Sequence, residues 1–252
     1  MQQPRRVDVI GIPITATNME ECLDFVVENL DQIRGEYVCV SNAHTTVMAH
    51  DDPAYRIIQA ESIMAIPDGK PLSVIGRKQA PGMERVTGPD LMRALFSAPE
   101  ARNRSHYFYG NTPGNLGKLL EALLTAYPNL QVAGFEPSVF HELTPCEEKE
   151  LANRINASSA DYIWIGIGAP RQEVLCHRLK GRVCGLMVGV GGAFNILAGV
   201  TPEAPAWMKR LCLEWLFRLM QEPTRLFKRY LVTNTKFIFY HMFRIKPRGG
   251  LA

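Results

Sequence analysis

Apolar residues recur along this chain in two alternating rhythms. Short β-branched or aromatic runs predict strands at residues 7–14, 37–41, 62–66, 107–109, 132–135, 162–167 and 186–190. Between them, apolar positions three or four apart predict helices at 19–30, 42–50, 53–61, 91–97, 115–126 and 144–155. The punctuation agrees with the rhythm. Asn18 stands as an N-cap, Thr144 and Glu147 have capping-box spacing, and Pro67-Asp68-Gly69 and Gly88-Pro89-Asp90 are turn signals. Strand, turn and helix repeated in this way predict an α/β fold: a layered, Rossmann-like, mostly parallel sheet with flanking helices over residues 1–200. Residues 201–252 are expected to form a helical, basic appendage.

Charge sets that appendage apart. The chain holds 28 Lys and Arg against 25 Asp and Glu, but after Glu222 there are seven basic residues and no acid. Residues 1–222 therefore carry −4 and the tail +7. Phe227, Tyr230, Phe237, Phe239, Tyr240 and Phe243 interleave with the cations, a pattern suited to an anionic lipid surface. A helix packed on the body with a solvated basic face is the simpler alternative. Residues 183–200 lack charge, yet five glycines and Asn195 argue against a spanning helix there. The start of the chain, broken by Asp8 and Pro13, does not read as a secretory signal. Cys22, Cys39, Cys146, Cys176, Cys184 and Cys212 form no C-x-x-C pair and read as reduced core residues of a cytosolic protein.

In parallel sheets, chemistry collects in the loops at the carboxyl ends of strands. Gly166 to Glu173, with Gly168 and Gln172, and Gly189 to Asn195, with Gly191, each follow a strand and permit close backbone approach to a phosphate. Neither completes G-x-G-x-x-G. Asp68 ends an otherwise apolar strand, where a carboxylate can take a proton from an attacking hydroxyl or merely cap a turn. Asn42 and His44 end the neighbouring strand, placed to bond sugar hydroxyls or to cap the next helix. Arg85 can clamp a diphosphate or form an ordinary salt bridge. Asp51-Asp52 and Glu147-Glu148 read as solvated helix starts. There is no Asp-x-Asp, so no metal and no cofactor are expected. A nicotinamide enzyme would explain the glycine turns, but residues 205–214 offer only Glu214, within a helical run, as the acid that binds ribose. A nucleic-acid module would explain the basic tail; it is the weaker alternative, and nucleic acid is not an expected partner.

The residues also resemble the WecG/TagA/CpsF glycosyltransferases of bacterial surface-polymer synthesis. The ordered blocks are Gly11-Ile12-Pro13, Asn42, Pro67-Asp68-Gly69, Glu84-Arg85-Val86 with Gly88 and Asp90, Gly168 to Glu173, Gly189 to Gly192 and Ala198-Gly199. Ala204 to Trp207, Leu213 to Leu216, Arg218-Leu219 and Glu222-Pro223 with Arg225 continue the series. The resemblance implies inverting, metal-independent transfer of a hexose from a UDP-sugar to a sugar on undecaprenyl diphosphate. It implies Asp68 as catalytic base and a donor pocket around Arg85, Gln172 and the glycine loops. It also implies a membrane-binding tail whose Arg218, Arg225 and Arg229 enter the site. The protein would then sit peripherally on the inner face of the cytoplasmic membrane; a homo-oligomer is compatible with this. Two positions depart from the pattern: Asn195 where Asp is common, and His44 where a Glu often stands in relatives that transfer N-acetylmannosamine. Both UDP-N-acetylmannosamine and UDP-glucose therefore remain as donors.

Overall fold

The computed structural model describes residues 3–139, 141–205, 207–208 and 213–247; Ala206, Cys212, Arg248 and the Arg225 side chain lie outside the described residues. Its centre is a six-stranded, wholly parallel sheet. The strands are β3 (Tyr37–Ser41), β4 (Met64–Pro67), β5 (Ser105–Gly110), β6 (Gln131–Glu136), β7 (Tyr162–Gly166) and β8 (Leu186–Gly189), in the order β4-β3-β8-β7-β5-β6. A parallel sheet covered on both faces needs apolar side chains at nearly every position. Tyr37 and Cys39 of β3 enter one core layer with Ile163, Ile165 and Met187, while Val38 and Val40 enter the other with Trp164, Leu186 and Val188. The short runs of uninterrupted apolar residues follow from that double burial.

The first strand expected from the pattern is two. Residues 7–14 fold as an antiparallel hairpin, β1 (Arg6–Val9) and β2 (Ile12–Thr15), turning at Ile10 and Gly11, whose φ values are 52° and 82°. The expectation failed because Ile10-Gly11 lacks the Asn or Asp that usually marks such a turn. The hairpin guards the sheet. Thr15 Oγ1 accepts the Ala65 N–H at 2.9 Å, occupying the open edge of β4. Arg6 reaches from β1 to the Ala60 carbonyl at 3.0 Å and also bonds the Ser62 carbonyl, satisfying the end of a helix.

Helices follow the predicted boundaries to within a few residues. On the face holding the hairpin lie α2 (Ala43–Asp51), α3 (Pro53–Glu61), α4 (Lys70–Gly76), α7 (Pro145–Ala157) and α8 (Arg171–Leu179); the opposite face carries α1 (Met19–Glu28), α5 (Gly88–Ser97), α6 (Pro113–Ala126) and α9 (Ala193–Leu197). Asn18 caps α1 through the Glu21 N–H at 3.0 Å, and Thr144 with Glu147 closes the expected capping box. The short helix α4 was not foreseen; its seven residues span too few turns to show a helical period. Cys22, Cys39 and Cys176 are buried and free, whereas Cys146 and Cys184 are exposed, which corrects their assignment to the core.

Beyond the body come α10 (Glu214–Gln221) and α11 (Pro223–Met242). One side of α11 packs: Leu226, Thr233 and Phe237 are buried, and the Tyr240 ring stacks on His50 at 3.9 Å. Asp51 holds this helix by accepting from Lys236 Nζ at 2.6 Å and Tyr240 Oη at 2.7 Å, so it is a docking residue, not a solvated helix start. Asp52 does begin a helix, accepting the Ala54 N–H. The other side of α11 leaves Phe227, Leu231, Ile238 and Met242 each more than half exposed. Among the described residues no helix is long and apolar enough to cross a membrane.

One position tests the packing at the carboxyl edge of the sheet. Gly110 has φ 140°, and a Cβ there would meet the Gly166 carbonyl carbon and oxygen at 2.7 Å. Gly110→Ala is expected to cost about 1–3 kcal/mol from backbone strain, more with the clash, read as a lower urea midpoint at unchanged slope. An unchanged midpoint would show that β5 and β7 separate freely at this end.

Candidate active site

Asp68 leaves β4 at its carboxyl end, where its N–H donates to the Ser41 carbonyl at 2.8 Å and the Ile66 carbonyl at 3.1 Å. Those bonds hold the turn to β3. The loop bearing Arg85 is pinned by Glu84 N–H to the Thr17 carbonyl (2.9 Å) and Val86 N–H to the Pro67 carbonyl (3.0 Å). Arg85 Nε then donates to the Asp68 carbonyl at 2.8 Å, and its Nη1 meets Glu214 Oε2 at 2.7 Å. Arg218, one turn beyond Glu214 on α10, faces the same cleft. Thr201, Pro202, Glu203, Ala204 and α10 close this cleft to about 30 Å³. That holds a water or two, whereas ligand pockets run from roughly 300 Å³ upward. A nucleotide sugar requires this segment to move.

The electrostatics favour a base. Asp68 is half-buried, and the desolvation of its carboxylate raises its pKa above the ordinary aspartate value. The Arg85 and Arg218 guanidinia pull it back down, and the Glu214 and Asp90 carboxylates push it up; burial prevails. A base stronger than a free carboxylate, beside two cations, is equipped to accept a proton while negative charge develops nearby.

Along the sheet, the next side chains are more committed. Asn42 caps α2: its Oδ1 accepts the N–H groups of His44 (3.0 Å) and Thr45 (3.2 Å). Gly69 lies so close that a Cβ on it would stand 3.2 Å from Asn42 Cα. His44 Nδ1 is 3.2 Å from Thr233 Oγ1 on α11. Burial and then the nearby Arg229 charge lower the His44 pKa, keeping it neutral at pH 7. Arg229 Nε is itself buried with no hydrogen-bond partner among the described residues. The tail thus places a guanidinium beside the Asn42–His44 turn.

The glycine loops are joined by Gln172. Its Oε1 accepts the Gly168 N–H at 3.1 Å, and its Nε2 donates to the Gly189 carbonyl at 3.0 Å and to Glu173 Oε1 at 2.8 Å. Gln172 is therefore buried and works as a clamp between loops, with both amide protons in use. Burial pushes the Glu173 carboxyl up to about 7. Gly168 and Gly191 take φ values of 84° and 53°, which favour glycine. Asn195 Oδ1 accepts Asn111 Nδ2 at 2.6 Å. Asn111, at the end of β5, carries no expected role; Glu214 enters only through the Leu213 to Leu216 block and as an unsuitable ribose-binding acid; and the Asp51 contact is invisible in the sequence. Each matters through a contact more than 80 residues away in sequence.

Taken in sheet order, Asp68, Asn42, Gly191, Gly168 and Asn111 follow the ends of β4, β3, β8, β7 and β5, so the candidate residues line one carboxyl edge. Asp68, Arg85 and Arg218 share one cleft; His44 and Arg229 meet beside it; Gln172 lies beneath the loops. Among the described residues no group of three or more His, Cys, Asp or Glu could hold a metal ion.

Fold and edge together define a Rossmann-like α/β protein with a carboxylate of raised proton affinity at the carboxyl edge of its sheet. Residues 7–249 match the model of the Glycosyl transferase WecG/TagA/CpsF family, and the chain belongs to that family; it is a glycosyltransferase. It is 26% identical over 198 residues to an N-acetylglucosaminyldiphosphoundecaprenol N-acetyl-beta-D-mannosaminyltransferase of Bacillus spizizenii, covering 78% of this chain and 75% of that protein. An enzyme of the same name from Bacillus subtilis is 26% identical over 224 residues, covering 88% of this chain and 85% of its own.

The charges around Asp68 make opposite predictions. Glu214→Gln removes a charge that raises the Asp68 pKa and should move the acid limb of kcat/KM to lower pH, whereas Arg218→Gln should move it higher. Limbs that shift in the same direction, or not at all, would show that Asp68 is not the titrating group.

Proposed function

We propose that this protein moves a hexose from a UDP-sugar to a sugar carried on undecaprenyl diphosphate, in the synthesis of a cell-surface polymer, by a single inverting displacement without a metal. The observation that carries the reading is Asp68, a carboxylate of raised proton affinity beside Arg85 and Arg218 in one cleft. Asp68 takes the proton of the acceptor hydroxyl, and that oxygen bonds the anomeric carbon as the bond to UDP breaks. UDP leaves with the electron pair, and Arg85, Arg218 and Arg229 offset its charge. Arg85 would exchange Glu214 for the diphosphate as α10 swings aside. The names of the relatives favour N-acetylmannosamine as the hexose; His44, neutral and bonded to Thr233, leaves glucose as the second donor.

A lipid-borne acceptor explains the tail. Phe227, Leu231, Ile238 and Met242 recur on the outer side of α11, with Lys228 beside them and no acid in the helix. A face of that composition lies in the headgroup layer of an anionic membrane, with the rings and aliphatic chains at the acyl boundary. Contact with the inner face of the cytoplasmic membrane would then bring the site to its acceptor.

Two measurements test the reading. Asp68→Asn is expected to reduce transfer about 10²–10⁴-fold, with UDP-sugar binding retained and a melting temperature equal or higher, because it removes a poorly solvated charge. Unaltered turnover would remove Asp68 from the mechanism. The triple substitution Phe227→Glu, Leu231→Glu, Ile238→Glu on the exposed face should abolish flotation with phosphatidylglycerol vesicles while leaving the circular dichroism spectrum unchanged; flotation equal to that of the unmodified chain would place membrane contact elsewhere.

A further inference from the structure

A second cavity opens at the amino end of the sheet, a strand length of roughly 15–20 Å from the edge that carries Asp68. It encloses about 220 Å³ between the end of α5, the turn after α6 and the starts of β5 and β6. Phe96, Ala101, Arg102, His106, Tyr127 and Gln131 are among its walls, and no Asp or Glu lines it. In a body whose net charge is negative, a cavity lined by Arg102 and Arg104 and by no carboxylate favours an anion over a cation. Arg104 shares the carboxylates of Asp161 at 3.5 Å and Asp31 at 3.7 Å. Arg102 is exposed, and among the described residues its guanidinium has no salt-bridge partner.

The inner wall is just as specific. His106 is 1% exposed, and its Nδ1 lies 3.2 Å from Trp164 Nε1. An indole nitrogen only donates, so Nδ1 accepts and the imidazole proton resides on Nε2. Burial lowers the His106 pKa to about 4, so the ring is neutral at pH 7. Nε2–H has no hydrogen-bond partner among the described residues, and the active site at the far edge does not use it. The Phe96 ring meets the His106 ring edge-on at 5.0 Å and Tyr127 at 5.4 Å, which leaves an aromatic surface beside that free donor.

The geometry points to a binding site for a small aromatic anion, its planar body against Phe96 and Tyr127, its carboxylate or phosphate held by Arg102, and an acceptor atom on His106 Nε2–H. The cation alone would hold any phosphate weakly; the rings and the His106 donor add the selection for an aromatic body.

Calorimetric titration of the full chain at pH 7 with phenyl phosphate, benzoate and inorganic phosphate tests this. At least one aromatic anion should bind with one equivalent, and inorganic phosphate should bind about tenfold or more weakly. The tighter of the two aromatic probes identifies the anionic group. Arg102→Ala should weaken binding by about tenfold or more, the loss expected when a charged hydrogen bond is removed. Ala126→Trp, an exposed lining position, should block the mouth and abolish binding, and Arg85→Ala should leave the affinity unchanged. Absence of binding by both aromatic anions, inorganic phosphate binding as tightly as phenyl phosphate, or affinity lost in Arg85→Ala and retained in Arg102→Ala would each overturn the proposal. Because the two sites occupy opposite ends of the sheet, Asp68→Asn should bind these probes unchanged, so failure here is separable from failure of the transferase reading.

Discussion

A parallel sheet buried on both faces admits few polar side chains along its strands, and the chemistry of this protein follows from that restriction. Charged groups gather mainly where strands end. At the carboxyl edge they meet turns rich in glycine, free N–H groups and the first residues of helices. Asp68 is the sharpest case, because Pro67 is still fully buried while the next residue reaches the cleft. Its raised proton affinity is thus a property of the sheet edge, moderated by two arginines from different elements.

Those arginines divide the labour between body and tail. Arg85 belongs to a loop whose backbone is clamped to Pro67 of β4 and to Thr17 just beyond the hairpin, so the body anchors its main chain while Glu214 of the tail engages its guanidinium. Arg218 and Arg229 arrive with α10 and α11. The tail holds the body through the Asp51–Lys236–Tyr240 contacts, the Tyr240 ring on His50 and a narrow buried strip. Partly exposed ion pairs contribute at most about 1 kcal/mol each. The docking therefore rests mainly on the strip, while among the described residues the side chains of the opposite apolar face stay more than half exposed. An interface of this kind suits a segment that both completes a site and meets a second surface.

Gln172 shows why residue identity alone does not settle a role. Its motif marks it for donor binding, yet its amide is occupied by the Gly168 and Gly189 backbones and by Glu173. It shapes the loops that a phosphate would meet. Asn42 is similar, since its side-chain oxygen caps α2 and its contribution to a ligand is left to the amide nitrogen.

The pattern along the chain determined the α/β class, all six sheet strands, most helices and the loops that hold candidate chemistry, because period and turn chemistry are local and double burial leaves an unbroken apolar signature. It also set the tail apart, since charge and ring content need no partner to be read. Local signals could not divide residues 7–14 into a hairpin or reveal α4, where a left-handed turn at Ile10 and a seven-residue helix are stabilised by what packs on them. Tertiary structure alone decided that Glu214 ties up Arg85, that Asp51 moors α11, that Asn111 meets Asn195 and that the Asp68 cleft is closed. Each of these joins residues far apart in the chain, and such a contact exists only once the sheet order has brought the strand ends together.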